Sequence, residues 1–161
     1  MSFVNTYRNL QAYGGTYDAA GSQTLGTDLS AAAANLTGGA NWDGTFGPTA
    51  RNVTITATTL DGLTPKLSGI YEVYCSFNWI TAAAHTLTVA FAAAGTPVTG
   101  AQTRSMSVTE TASQYQSVAL RCILSLTQGQ EVTINVAAAT GTPTLTYRDC
   151  IFYIRRISPS A

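Results

Sequence analysis

Side chains that could perform acid–base or metal chemistry are few in this 161-residue sequence. His85 is its only histidine, and the sequence lacks the Gly-x-Ser-x-Gly pattern that presents a serine nucleophile. Glycoside hydrolysis needs two carboxyl groups that face each other across a cleft. The acidic residues are widely spaced, and those considered for such a pair are Asp43, Glu72, Glu110 and Asp149. Since no counterpart can be identified for any of them, we expect no enzyme, no catalytic residue, no metal and no cofactor.

The cysteines are far apart in sequence, and none belongs to a Cys-x-x-Cys or Cys/His cluster. A secreted disulfide framework would carry more cysteines, in an even number. Cys75 and Cys122 share strand parity with large apolar neighbours, which predicts that they act as small apolar residues in a core. We therefore expect Cys75, Cys122 and Cys150 to be reduced, in a protein that folds in a reducing cytoplasm.

Charged residues make up only 10% of the chain, and the formal net charge is zero. Soluble proteins carry about a quarter charged residues, so this surface must consist largely of small and polar uncharged side chains. No basic patch is present to neutralise phosphates, and no apolar run reaches the ~18 residues that a membrane span needs. The composition thus predicts neither nucleic acid nor membrane as a partner, and it gives copies of the chain little mutual repulsion.

From Asn52 onward, short segments with period-two alternation are separated by Gly, Pro and Asn turns. Because such segments are numerous and no long helix is evident, we predict an all-β fold, a single jelly-roll β-sandwich over residues 52–161. The clearest strand spans residues 70–80, and its predicted core face consists of Tyr71, Val73, Cys75, Phe77 and Trp79. The last strand, over residues 150–157, is apolar on both faces, which predicts that a neighbouring subunit covers one of them.

The N-terminal segment, residues 1–51, is rich in Gly, Ala, Asn and Thr and is predicted to be an extended arm or a set of edge strands. A short helical turn is predicted within residues 29–39. Two roles stay open: the segment docks on a partner, or it supplies the first strands of the same sandwich, with Gly14-Gly15 as a hinge if both hold. The aromatic residues predicted to anchor a docking arm are Phe3, Tyr7, Tyr13, Tyr17 and Trp42.

Three segments occur in an order that is typical of one superfamily. In residues 60–73, the Gly-Ile-Tyr-Glu-Val stretch is similar to a Gly-x-Tyr-x-Phe motif at the start of a central strand. Residues 124–134 are similar to a Leu-x-Leu-x-x-Gly-Asp-x-Val-x-Leu segment, and an aromatic strand closes the chain. The sequence therefore resembles the C1q/TNF-like jelly-roll superfamily. It departs from the pattern where Val73 replaces a phenylalanine and Gln130 replaces a turn aspartate, and no calcium-ligand cluster is visible.

The resemblance implies a compact homotrimer in which one sheet of each subunit meets its neighbours around a threefold axis. Strand parity then selects the residues that turn away from the core toward the neighbouring subunit. The predicted trimer-interface residues are Tyr74, Ala119, Arg121, Ile123 and Tyr153. Arg121 and Arg155 would need a carboxylate or carbonyl partner if they are buried there.

In bacteriophages, jelly rolls of this kind serve as capsid decoration (cement) proteins and as fibre tips, and the Ala/Thr/Gly-rich, lysine-poor sequence resembles a virion protein. No heptads or collagen-like repeats precede the predicted domain. We therefore expect a trimeric decoration protein that stabilises a phage head, is synthesised in the host cytoplasm and is located on the capsid surface. Its partners would be itself and the major capsid protein or another virion protein. The alternative is a fibre tip or receptor-binding module whose partner is a host surface glycan.

Overall fold

The computed structural model describes residues 11–30, 36, 44–45, 50–55, 62–106 and 115–159. These residues form ten strands and no helix. The predicted helical turn lies mostly outside the described residues. The strands are β1 (Tyr13–Thr24), β2 (Gly44–Thr45), β3 (Val53–Ile55), β4 (Leu63–Pro65), β5 (Gly69–Ile80), β6 (Thr86–Ala93), β7 (Thr96–Met106), β8 (Gln116–Leu126), β9 (Val132–Ala138) and β10 (Thr144–Ser158).

The strands form two five-stranded antiparallel sheets, which we call sheet A and sheet B. Sheet A has the order β2-β1-β10-β5-β8, and sheet B has the order β3-β4-β9-β6-β7. The neighbours in each sheet are mostly distant in sequence, so the chain crosses repeatedly between the sheets. This arrangement confirms the predicted jelly-roll sandwich.

Alternation along the strands places one side of each sheet in a common core. The predicted core face of β5 is confirmed, because all five of its residues are at most 2% exposed. Phe91 of β6 and Phe152 of β10 stack across the two sheets with ring centroids 6.1 Å apart. Burial of each large apolar side chain contributes about 1.5–3 kcal/mol, so these layers hold the sandwich together.

The longest described stretch of the N-terminal segment, residues 11–30, is part of the sandwich. Strand β1 pairs with β10 from Tyr13 opposite Arg155 to Thr24 opposite Thr144. Beyond β1, the chain lies against β9 of sheet B, where Asn135 Nδ2 donates a hydrogen bond to the Leu29 carbonyl at 2.8 Å. Residues 13–24 therefore supply a strand of the same sandwich, which was the second of the two roles left open.

The predicted hinge at Gly14-Gly15 is wrong, because both glycines lie inside β1 and pair with β10. A Cβ at Gly14 would lie 2.9 Å from the Val53 Cβ, and a Cβ at Gly15 would lie 2.7 Å from the Tyr153 Cβ. These glycines are thus explained by the close approach of two neighbouring side chains. They provide room rather than flexibility.

A third close approach explains the glycine at the start of β5. The Arg156 side chain crosses above Gly69 and donates a hydrogen bond from Nη2 to the Ser68 carbonyl at 2.6 Å. Two residues further on, the Tyr71 hydroxyl donates to the Leu67 carbonyl, also at 2.6 Å. Gly69 and Tyr71, the two fixed residues of the Gly-x-Tyr pattern, therefore lie where these two hydrogen bonds close one end of the core.

We predict that Gly69→Ala destabilises the protein by about 1–3 kcal/mol, the usual cost of overpacking. The added Cβ would meet the Arg156 Nε and would lie 2.5 Å from the Ser158 carbonyl oxygen, which is backbone and cannot rotate away. Gly26→Ala is the matched control, because a Cβ there has no atom within 4 Å, and we expect a change within about 0.5 kcal/mol. Urea unfolding of both variants measures the difference. Equal stabilities would contradict the assignment of Gly69 to a steric role.

Candidate functional site

The outer face of sheet A, which points away from the sandwich core, carries side chains from four neighbouring strands in register. Antiparallel pairing aligns these residues in rows that run from β1 through β10 and β5 to β8. Residues of one row have Cβ atoms about 4.5–5.5 Å apart on adjacent strands and therefore interact directly. The rows are, first, Tyr13, Arg155, Glu72 and Ile123; second, Gly15, Tyr153, Tyr74 and Arg121; third, Tyr17, Ile151, Ser76 and Ala119.

All five residues predicted for the trimer interface lie in these three rows. Two residues predicted for the docking arm, Tyr13 and Tyr17, lie in the same rows because β1 belongs to this sheet. The sequence reasoning therefore separated residues that form one continuous surface. Residues 13, 15 and 17 alternate along the chain so that they share one face of a strand, which could have indicated that they lie on this surface. The glycine-rich composition obscured that alternation. The other predicted anchors, Phe3, Tyr7 and Trp42, lie outside the described residues.

Large apolar side chains are exposed on this face. Within the described part of the chain, the large hydrophobic residues that remain exposed are Ile123 at 54%, Ile157 at 50% and Tyr17 at 41%. Ile123 and Tyr17 belong to the rows, whereas Ile157 lies at the register shift between Arg156 and Ser158 near the end of β10. Between them, Tyr74 and Tyr153 are half-buried and stack with centroids 5.3 Å apart. Several large apolar side chains exposed on one face commonly mark an interaction site.

An ionic cluster lies beside these apolar side chains. Glu72 is only 3% exposed although it lies on an outer face, because two arginine side chains cover it. Arg121 Nε lies 2.5 Å from Glu72 Oε1, and Arg155 Nη2 donates a hydrogen bond to Glu72 Oε2. The predicted need of both arginines for a carboxylate partner is thus met by one shared residue. Strand alternation places Glu72 on the same face of β5 as Tyr74, but the sequence did not identify it as the partner of the two arginines; a lone acidic residue between apolar neighbours on β5 was a usable signal.

The far end of the outer face is polar. Strand β10 has a bulge between Arg148 and Ile151, where Asp149 adopts a φ of 55°. Asn78 Nδ2 donates to Asp149 Oδ2 at 3.0 Å, and the Ser117 hydroxyl donates to Asn78 Oδ1 at 2.6 Å. The outer face thus combines an apolar and ionic region with a hydrogen-bonding region at the bulge.

The residues considered for catalysis are not brought together where the structure describes them. His85 lies in the loop between β5 and β6, as predicted. Glu72 is engaged by two arginines, and Asp149 lies near the other end of the same sheet; Asp43 and Glu110 are outside the described residues. Across the described ranges, no three His, Cys, Asp or Glu side chains are grouped as metal ligands would be. Those ranges also contain no helix that is long and apolar enough to cross a membrane.

Comparison with solved structures identifies the fold. The structure of Eiger TNF from S. frugiperda matches with a TM-score of 0.65 at 11% identity, over 94% of this chain and 95% of that one. The globular domain of zebrafish complement 1qA protein matches with a TM-score of 0.58 at 16% identity, over 92% of this chain and 99% of that one. No family model matches the sequence, and no curated protein matches it either. The chain therefore has the C1q/TNF-like jelly-roll fold, as its sequence motifs indicated.

The cysteine side chains are free thiols, with Cys75 and Cys150 buried and Cys122 half-buried. Cys75 is opposite Leu120, and Cys122 is opposite Val73, so the first two thiols are diagonal neighbours on adjacent strands. Burial raises the pKa of Cys75 to about 12 and the pKa of Cys122 to about 11. Since the thiolate is the reactive form, a raised pKa makes both side chains poor nucleophiles at neutral pH.

We predict that iodoacetamide labels the native protein very slowly at pH 8. With a pKa of about 11, the Cys122 thiolate is roughly 200-fold less populated at pH 8 than that of an ordinary cysteine, and its labelling should accelerate with rising pH. Denaturation without a reductant should expose all three cysteines to rapid labelling, counted by intact-mass spectrometry. A single labelled cysteine after denaturation would instead reveal a disulfide.

Proposed function

We propose that this chain is a non-catalytic structural protein that works as a homotrimer assembled through the outer face of sheet A. The observation that carries the proposal is the presence of Ile123, Tyr17 and the Tyr74–Tyr153 stack on one outer face. The other side of the same sheet already packs in the sandwich core. Association of copies through the outer face would remove this apolar surface from water, which favours binding.

The carboxylate of the outer face is compatible with burial. Glu72 is already engaged by Arg121 and Arg155 within one subunit, so its carboxylate has partners before the face is covered. The formal net charge of zero keeps long-range repulsion between copies small. The threefold stoichiometry follows the resemblance described in the sequence analysis. A twofold pairing of the same faces is the alternative, and a measurement of the mass of the oligomer distinguishes the two.

Ile123→Asp tests the face. Because Ile123 is 54% exposed in the single subunit, the variant should fold normally, but each interface would lose the apolar burial of Ile123 and would have to remove water from an added carboxylate. We expect the dissociation constant of the oligomer to rise at least roughly 30-fold. Sedimentation equilibrium over a range of protein concentrations measures it, with circular dichroism as the test of folding.

Thr140→Asp is the matched control, because it places the same charge at an exposed position in the turn between β9 and β10. This variant should assemble like the wild type. Normal assembly of Ile123→Asp would show that the outer face of sheet A is not the interface. A wild-type protein that stays monomeric at every concentration would overturn the proposal.

We further propose that the trimer decorates and reinforces the shell of a phage head. The sparse charge and the Ala/Thr/Gly-rich sequence support this role, as does the N-terminal segment with its spaced aromatic residues. In a trimer, three such segments act together, so weak individual contacts sum to firm attachment through avidity. The sandwich holds the chain from Gln11 onward: Asn52 Nδ2 donates to the Gln11 carbonyl, and the Arg156 amide donates to the Ala12 carbonyl, both at 2.7 Å.

Deletion of residues 2–10 tests the docking role. The deletion ends before Gln11 because loss of Gln11 and Ala12 would remove both hydrogen bonds to the sandwich. We expect the truncated trimer to melt at a similar temperature and to stop co-sedimenting with shells of the major capsid protein encoded in the same genome. The full-length Phe3→Ala/Tyr7→Ala double variant should show a weaker form of the same defect, because it removes aromatic anchors only.

Retained co-sedimentation of the truncated protein would move the docking surface to the sandwich itself. If the wild-type protein does not bind the shell at all, the decoration role is wrong. Binding of the wild-type trimer to a host surface glycan would then favour the receptor-binding alternative.

A further inference from the structure

The charges on the outer face of sheet A do not balance. The first two rows contain two guanidinium groups, on Arg121 and Arg155, and one carboxylate, on Glu72. The other described carboxylate on this face, Asp149, lies at the bulge and interacts with Asn78 and Arg148 instead. Among the described residues of these two rows, one positive charge therefore has no carboxylate of its own within the surface that we propose as the interface.

The two arginines also retain hydrogen-bonding capacity. A guanidinium group has five N–H donors, whereas Glu72 engages Nε of Arg121 and Nη2 of Arg155. Within the described residues, these two side chains, which are 65% and 61% exposed, bond to no other acceptor. Their remaining donors are therefore available to water in the single subunit and would lose that water when the face is covered.

Assembly would make this imbalance costly. Covering the face transfers the excess charge of every subunit into a shared region of low dielectric, where an unpaired charge is strongly unfavourable. Uptake of an anion removes the penalty. The two guanidinium groups both contact Glu72, and their remaining N–H donors suit an oxyanion with several acceptor oxygens, because arginine binds such groups through paired N–H donors.

We infer that assembly through the outer face of sheet A is coupled to the binding of a free oxyanion, of the sulfate or phosphate type, at Arg121 and Arg155. This inference rests on the proposed function, since it concerns the same face. An anion that binds the assembled protein better than the single subunit must strengthen assembly by the same free energy, through thermodynamic linkage.

The experiment measures the association constant by sedimentation equilibrium at a series of sulfate concentrations up to on the order of 10 mM, with sodium chloride adjusted to keep the ionic strength constant. At these concentrations, general salting-out by sulfate is small compared with binding at a site. We expect wild-type association to strengthen about tenfold across the series. Phosphate at the same ionic strength should act similarly.

Three variants separate a site from a general salt effect. Arg121→Gln leaves one arginine for Glu72, so it should assemble without sulfate dependence even though an interface cation has been removed. Glu72→Gln doubles the charge excess and should assemble poorly without sulfate, with a steeper dependence than the wild type. Arg148→Gln is the matched control, because it removes the same charge from the polar end of the same sheet and should respond to sulfate like the wild type.

The outcomes distinguish this inference from the proposed function. Wild-type assembly that does not change with sulfate would overturn the coupling and leave the proposed interface standing; a carboxylate supplied by the neighbouring subunit would be the simplest cause. An equal sulfate response in Arg121→Gln and the wild type would also overturn it, since the site would then not be required. Absence of assembly under all conditions would overturn both proposals.

Discussion

The antiparallel pairing of β1 with β10 is the contact on which sheet A depends. It joins residues near the two ends of the chain, from Tyr13 opposite Arg155 to Thr24 opposite Thr144. Through it, β10 becomes an interior strand with neighbours on both sides, so its backbone donors and acceptors are satisfied along most of its length. Such a pairing closes a long loop, so its entropic cost must be offset by contacts that involve the intervening strands.

The same pairing determines the composition of the outer face. Because side chains alternate along a strand, a shift of one residue in the register of β1 would turn Tyr13 and Tyr17 toward the core. The close approach of Val53 to Gly14 and of Tyr153 to Gly15 opposes such a shift, since only glycine fits at these two positions. Steric complementarity at two glycines thus keeps the aromatic side chains of β1 on the face that carries Ile123 and the ionic cluster.

This outer face combines two properties. It exposes large apolar side chains, and it buries a carboxylate between two arginines in the middle of them. The ion pairs orient Arg121 and Arg155 without a partner molecule, whereas the apolar residues gain stability only when something covers them. These two properties are the ones on which the proposed interface and its proposed coupling to an anion depend.

Period-two alternation within single strands allowed much of the protein to be predicted from the sequence. It identified the core face of β5, the outward residues Tyr74 and Tyr153, and the outward positions of β8, because the side on which a residue lies depends only on its local neighbours. The sandwich class followed from the number of such strands and the motif at Gly69. The sequence by itself therefore determined which residues of one strand share a face.

Only the tertiary structure decided how these faces combine. The position of β1 beside β10, which unites Tyr13 and Tyr17 with the predicted interface residues, depends on a pairing between distant parts of the chain. The choice of Glu72 as the common partner of both arginines depends on the register of β5 with β8 and with β10. Local alternation carries no information about either, because register is set by the fit of side chains and by close backbone approaches between strands that meet only in the folded protein.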